Sequence, residues 1–445
     1  MVGIFRAGMR ATLFALVLVF GGVAAHAQGL IRDADIERSL RELARPIITA
    51  AGLSPNNIRV MVINDSKLNA FVIDTRTVLI HSGLILKMKT AEELQAVIAH
   101  EIAHIANGHI TRRLANLRSA NNAAKFGMLM AIAVGAATGN TKAAAGVAIG
   151  SSSSAQRLFL SHTRAEEASA DQAALRYMAS RGIDPSAMSD VLDYFRGQEA
   201  LSAARQDPYV LSHPLTRDRI RAVKGYAAAY KNRAKDDPKA QYWFLRAQGK
   251  LGAFIRNPGW TLRQVAKNDT SDIALMRRAV AYHRIPKPAA AKAEIARLVG
   301  KRPGDGYLLE LQGQILLESR DMRGAVAAYS RAVNAAPSEP LILAGYGRAL
   351  LAAGSYSKAL AALERARTRD GRDPRMMRDL AVAYAKTGNN GMASLATAER
   401  YALLGNLETA AVHAKRAEGL LPRGSPGWNR AQDVLNAAKA AGKRR

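Results

Sequence analysis

The stretch Val97-Ile98-Ala99-His100-Glu101-Ile102-Ala103-His104-Ile105-Ala106 decides how this chain is read. Leu94, Val97, Ile98, Ile102 and Ile105 recur at helical rather than strand spacing. Two histidines four residues apart then share one helix face, about 40° apart at about 100° per residue. Imidazole nitrogens so placed suit a single small ion. Glu101, between them, reaches water on that ion without ligating it. The competing reading is a helix with surface histidines. It leaves two imidazoles in a strongly apolar helix with nothing to satisfy them, which is costly.

A hydrolytic zinc site uses three protein ligands and keeps one position open. The metzincin spacing fails here, because Asn107 and Ile110 stand where Gly and His would be needed. His109 falls about 140° round a continuing helix from His104 and is not read as a ligand. Downstream, Thr163-Arg164-Ala165-Glu166-Glu167-Ala168-Ser169-Ala170-Asp171-Gln172-Ala173-Ala174-Leu175 is a second helical stretch. Glu167 and Asp171 share a face, so Glu167 can ligate zinc while Asp171 accepts a hydrogen bond from a ligand histidine. Glu166 competes as ligand, but its offset turns it about 100° from Asp171. Without the histidine pair, residues 164–171 would be read as a solvated charged face.

At 445 residues the chain is too long for one ordinary core, and its 49% apolar content indicates a folded protein of two or three domains. Arg6 and Arg10, an apolar run from about Ala11 to Val23, and Ala25-His26-Ala27 read as a cleavable export signal over 1–27. An uncleaved anchor is the alternative, for which the apolar run is short. The mature chain is expected to begin near Gln28 and to work in the periplasm. No cysteine is present, which excludes structural disulfides and lipoprotein attachment. The net charge is +28, and residues 233–445 carry +19 of it, with 37 basic against 18 acidic residues. That field draws in acidic lipid head groups or acidic polypeptides, unless it serves solubility alone. Nucleic acid is not expected as a partner, given the export signal.

Residues 31–53 read as a helix carrying Ile36, Leu40, Leu43, Ile47 and Ile48 on one side. Strand-like runs follow at 58–63, 70–73 and 77–80, with turns at Asn64-Asp65 and Asp74-Thr75. A sheet edge beside a zinc helix can pair with an extended peptide and hold the scissile bond at the metal; equally, the sheet can simply pack the helix. Residues 126–150, rich in Ala, Gly, Met and Ile, are too short in either half to span a membrane. They suit a hairpin over the site, a peripheral membrane contact, or ordinary buried helices, and Ser151–Ser154 reads as a link. In Leu211-Ser212-His213-Pro214-Leu215-Thr216-Arg217-Asp218-Arg219-Ile220, the proline holds His213 in an extended turn. His213 can stabilise an oxyanion or occupy the open metal position at rest. Arg219 can anchor the loop or polarise a carbonyl.

From about Asp236 the texture changes to Ala-rich helices with a repeat. Leu275, Ala279, Tyr282, Ala291, Ile295, Leu298 and Pro303 return 34 residues later as Leu309, Gly313, Leu316, Ala325, Tyr329, Ala332 and Pro337. A third copy runs through Leu343, Gly347, Leu350, Gly354, Ala359, Leu363 and Ala366, its proline delayed to Pro374. This is the tetratricopeptide period. Units around Tyr384 and Tyr401 are less regular, and the helix near Trp428 reads as a cap. Such a solenoid presents a concave surface to protein segments.

HEIAH, TRAEEASAD, Asn69-Ala70-Phe71 and SHPLTRDR, in this order, resemble the zinc metallopeptidase family of HtpX and the prenyl-protein endopeptidases. The likeness extends over nearly the whole mature chain to the exported branch with a tetratricopeptide tail. It departs at Thr163, where serine is usual. The resemblance implies one Zn2+ per chain on His100, His104 and Glu167, Glu101 as catalytic base, His213 as a second catalytic or regulatory group, and Arg219 as the family's loop arginine.

The expected fold is therefore mostly α: a zincin-type α+β metallopeptidase domain with a small sheet over 28–232, then an α-solenoid of tetratricopeptide repeats over 233–445. The resemblance further implies endopeptidase action on unfolded or misassembled outer-membrane proteins, with the tail docking on the outer-membrane assembly machinery. The alternative is a chaperone or assembly factor in which the repeats dominate and proteolysis is secondary.

Overall fold

The computed structural model describes residues 29–118, 163–202 and 205–442. The export signal and the 126–150 segment with its serine link lie outside the described residues. Among the described residues no helix is long and apolar enough to cross a membrane.

The first half is built from β1 (Leu30–Ile31), α1 (Ala34–Ala50), β2 (Arg59–Ile63), β3 (Ala70–Asp74), β4 (Thr77–His81), α2 (Ser82–Lys87), α3 (Ala91–Ala106), α4 (His109–Arg118), α5 (Arg164–Ser180), α6 (Ser186–Asp193), α7 (Pro208–Ser212) and α8 (Arg217–Tyr230). The strands form one mixed sheet in the order β1-β2-β4-β3. β2 and β4 are parallel, while β1 and β3 run antiparallel to their neighbours. Ile31 joins the sheet rather than the helix that its hydropathy suggests; Asp33 caps that helix, accepting from the backbone N–H groups of Asp35 and Ile36. Alternation divides the strands by face. Val60, Val62, Val72, Val78 and Ile80 pack on the helices, and Met61, Ile63, Phe71 and Leu79 form a separate cluster on the far face.

α3 is the central element. It is capped by Thr90, carries Glu92 and Glu93 in its first turn, and buries fourteen of its sixteen residues, so its amphipathicity is weak. It ends at Asn107, and Gly108 follows with φ +71°, a left-handed turn that suits glycine. α5 lies against α3 through Ala170, Ala173 and Ala174, small side chains that let the two backbones approach.

The second half runs through α9 (Pro238–Ile255), the short α10 (Pro258–Arg263) and then helix pairs: α11 (Asp272–Arg284) with α12 (Pro288–Lys301), α13 (Gly306–Glu318) with α14 (Met322–Ala335), α15 (Pro340–Ala352) with α16 (Tyr356–Arg369), α17 (Pro374–Lys386) with α18 (Asn390–Leu403), and α19 (Leu407–Leu420) with α20 (Pro426–Gly442). The first helices of four pairs begin 34 residues apart, at 272, 306, 340 and 374, and their partners do the same at 288, 322, 356 and 390. Pro374 is thus not a delayed terminator of the third unit. It opens the fourth, as Pro340 opens the third. The strict spacing is lost only at α19 and α20.

The two halves share a seam. Ala240, Phe244 and Leu251 of α9 belong to the core of the first half, while Ala34 of α1 packs with the repeats. Gln248 donates to the carbonyls of Ile85 and Met88 at 2.9 and 2.7 Å. Arg246 pairs with Asp35 and Asp305, each at 2.6 Å. Further along, Arg32 meets Asp370 at 2.7 Å, and Arg375 donates to the Arg32 carbonyl at 2.9 Å. The solenoid therefore curls back over the N-terminal strand.

Candidate metal centre

α3, α5 and the end of α7 bring four side chains to one point: His100, His104, Glu167 and His213, all buried, offer donor atoms within 4.8 Å of one another. His100 Nε2 lies 3.1 Å from His104 Nε2 and 3.2 Å from His213 Nδ1. Glu167 Oε1 lies 3.0 Å from His213 Nδ1 and 3.3 Å from His104 Nε2. Four donors about 2.0–2.1 Å from a tetrahedral zinc stand about 3.3 Å from each other. The spacings fit such an ion, and His213 takes the corner that a hydrolytic site leaves for water.

Each donor is held from behind. Asp171 Oδ1 lies 2.9 Å from His100 Nδ1, which directs Nε2 towards the cluster. Arg219 clamps Asp171 with two nitrogens, at 2.5 and 2.9 Å, and its Nη1 reaches Glu167 Oε2 at 2.5 Å. The same Nη1 approaches the carbonyls of His213 and Pro214 at 3.4 Å. Arg219 is thus committed to anchoring the loop and both carboxylates. Burial is the largest single influence on the Asp171 and Glu167 carboxyls and works to raise their pKa values, but Arg219 and His100, joined at Glu167 by His213, together outweigh it and hold both below the usual carboxylate range, Glu167 well below.

Burial opposes protonation of His100, yet the facing Glu167 and Asp171 carboxylates push it up to about 10. His104 has no such carboxylate behind it, and burial holds its pKa well below the ordinary value. Glu101 lies between them. Both its oxygens are buried without a hydrogen bond, and His213 Nε2 is 3.4 Å away. A buried carboxylate left so costs free energy that a bound group would recover. Burial also keeps its pKa raised, against the pull of His213 and His100.

Glu166 is turned to a different task. Its side chain accepts from Thr163 N–H at 3.0 Å while the Thr163 hydroxyl accepts from Glu166 N–H at 3.2 Å, a reciprocal cap of α5. Either hydroxyl residue serves at 163.

Two contacts escape the sequence. His109 Nδ1 lies 2.8 Å from His104 Nδ1, where one ring donates and the other accepts. A 140° separation holds only for an unbroken helix, whereas the turn at Gly108 folds His109 back beneath His104. The Asn107-Gly108 pair is the available signal. Tyr209 is the second: its ring packs on His213 at 4.6 Å between centroids and stacks on Phe195 at the same distance. Its N–H donates to the Leu68 carbonyl, fastening α7 to the approach to β3.

β3 is an edge strand among the described residues. Asn69 O accepts from His81 N–H, so Phe71 and Ile73 turn their backbone groups inwards and Ala70 and Val72 turn theirs outwards. Ala70 O indeed meets His213 Nε2 at 3.3 Å. The open edge therefore starts at the cluster.

Residues 31–227 match the model of peptidase family M48, and residues 316–378 match that of a tetratricopeptide repeat. The chain is 25% identical over 321 residues to the beta-barrel assembly-enhancing protease of Yersinia pestis, covering 70% of this chain and 65% of that one. With the protein of the same name from Escherichia coli (strain K12) it shares 24% over 303 residues, 67% of this chain and 61% of the other. With metalloprotease LoiP of the same strain it shares 27% over 214 residues, 45% of this chain and 77% of the other. The chain thus spans a little under two thirds of the length of these assembly-enhancing proteases.

Proposed function

The chain carries a domain of peptidase family M48 followed by tetratricopeptide repeats, and from this we propose that it is a zinc-dependent endopeptidase of the periplasm that cuts misfolded or stalled outer-membrane proteins. The observation that carries the reading is the convergence of His100, His104 and Glu167 on one point, with the unbonded Glu101 carboxylate beside it. A zinc ion held there supplies Lewis acidity, making water a nucleophile near neutral pH and polarising the scissile carbonyl.

The chain's own residues do the rest. Glu101 takes the proton of the attacking water and returns it to the leaving amine. Ala70 and Val72 offer main-chain hydrogen bonds to an extended substrate. His213 guards the fourth corner at rest. When its ring swings aside, that corner opens, and the imidazole remains close enough to donate to the developing oxyanion. The repeats dock the protein on the outer-membrane assembly machinery or on a client.

Glu101→Gln should keep zinc and fold while cleavage of an unfolded outer-membrane protein drops about 10²- to 10⁴-fold. His100→Ala or Glu167→Ala should lose the ion itself, read by elemental analysis. Undiminished turnover by Glu101→Gln would end this reading.

The closed corner at His213 favours a second role, as an assembly factor that is proteolytically silent until opened. If Glu101→Gln restores outer-membrane assembly in cells lacking the protein, the repeats carry that role. If it does not, proteolysis does.

A further inference from the structure

The far face of the sheet is covered by the repeats, and a cavity of about 620 Å³ lies between them. Met61, Ile73 and Leu79 form its sheet wall; Met377, Leu403 and Val434 form the opposite one. Met61 and Leu79 are the middle residues of β2 and β4, while Arg59 and Thr77 at the starts of those strands and Ile73 and Asp74 at the end of β3 carry the lining away from the Ala70–His213 contact. Ile73 lies three residues beyond Ala70, about 10 Å at the rise of a strand.

The charged part of the lining is mainly basic. Arg32, Arg59, Arg367 and Arg372 stand against Asp74 and Glu399. Arg32 is occupied by Glu37 and Asp370, and Glu399 by Arg430. Arg59 reaches Asp370 only at 3.7 Å. Arg367 keeps its Nε buried with no hydrogen-bond partner. An apolar chamber lined by guanidinium groups, with Arg367 Nε buried and unpartnered among them, is complementary to an apolar side chain next to a carboxylate. It is continuous with the open edge of β3, along which a polypeptide would lie.

We propose that this cavity is a substrate subsite, receiving an apolar side chain flanked by an acidic residue three or four positions from the bond cut. The proposal rests on the endopeptidase reading. It gives the solenoid a defined task, since half of the chamber belongs to it: the repeats help to select the sequence that is cut.

The test measures fluorescence anisotropy of labelled ten-residue peptides on full-length Glu101→Gln protein. One peptide set carries Leu-Asp three and four residues from the central bond, on its N-terminal or its C-terminal side. One control set carries Ser-Asn there, and a second carries Leu-Asn, so that the apolar and the acidic position are read separately. Leu-Asp peptides of one polarity should bind roughly tenfold tighter, the discrimination an apolar pocket provides. Ala402→Trp, which fills the chamber, should erase that preference. Arg367→Gln, a milder change in the lining, should erase the preference for Asp over Asn alone.

Equal binding of the Leu-Asp and Ser-Asn sets, or a preference untouched by either variant, overturns the proposal. So does oleate binding that Ala402→Trp abolishes and the peptides do not displace, which would make the chamber a site for amphiphiles. Parallel cleavage assays use the unaltered chain. Selective binding without cleavage would sink the endopeptidase reading and leave the chamber a peptide-binding pocket rather than a substrate subsite, whereas cleavage without selectivity would sink the subsite alone.

Discussion

Around His100, carboxylates, imidazoles and a guanidinium from α3, α5, α7 and α8 are buried within hydrogen-bonding reach of each other. Along the repeats the close packing of helix on helix is apolar and local: Gly313 sits beneath the ring of Tyr329, and 34 residues later Gly347 sits beneath Leu363. The first region depends on long-range convergence of charges that have no stable existence apart. The second depends on size matching between adjacent helices, repeated until the chain stops. Loss of one side chain should therefore spread through the first region and stay confined in the second.

The sharpest break is Arg219→Met. It keeps the length of the side chain but leaves Asp171 and Glu167 buried without their shared cation, a change that costs about 3–5 kcal/mol. Thermal melting should show the loss, and more severely after chelation, because a bound metal replaces part of the missing positive charge at Glu167. A melt within a degree of the parent in chelator would mean that the clamp adds nothing.

His109→Phe asks how far the dependence extends. It removes the group that holds His104 from behind while preserving a ring under the helix. Loss of such a partner weakens metal binding about 10- to 100-fold. Competition with a zinc chelator measures it, and unchanged affinity would reduce His109 to packing.

Gly347→Ala tests the opposite region. A Cβ there would stand 2.5 Å from Leu363 Cγ. Overpacking of this kind costs about 1–3 kcal/mol, and the damage should remain within α15, α16 and their neighbours. Hydrogen exchange would show protection lost there and retained in α3. Equal loss in both places would contradict the confinement argument.

The same contrast governs what can be read from the sequence. The repeat fold is legible because its signal is local and periodic: Ala279, Gly313 and Gly347 recur at 34, opposite Ile295, Tyr329 and Leu363. Even so, Pro374 misleads, since a proline that opens a helix resembles one that closes the unit before. At the cluster, helical spacing places His100 with His104 and Glu167 with Asp171, because both pairs lie within single helices. Contacts between elements are not legible. The grip of Arg219 on both carboxylates depends on the packing of α8 against α5, which no local pattern encodes. His109 is misplaced by its spacing because the breaking of a helix at Gly108 changes a direction by far more than one residue does.

Where the two regions meet, the repeats carry buried charges of their own, and there the contrast can be examined at its mildest. Glu310 of α13 faces Lys250 of α9 at 3.8 Å, and Lys250 also meets Asp33 at 2.9 Å. Burial pushes the Glu310 carboxyl up to about 7, from an ordinary value of 4.5, against the pull of Lys250. A carboxyl whose pKa rises on folding holds its proton more tightly in the folded chain. Its contribution is therefore most favourable below pH 4.5, fades as pH climbs towards 7, and levels off above. A glutamine in its place would not titrate, so the melting temperature of Glu310→Gln relative to the parent should improve between pH 5 and pH 8, by about one or two degrees. Lys250 retains Asp33 in that variant, so the seam is not left with an unpaired cation. A difference that shrinks with rising pH would show that the pair is held by attraction strong enough to keep Glu310 ionised, and the seam would then belong with the metal cluster rather than with the repeats.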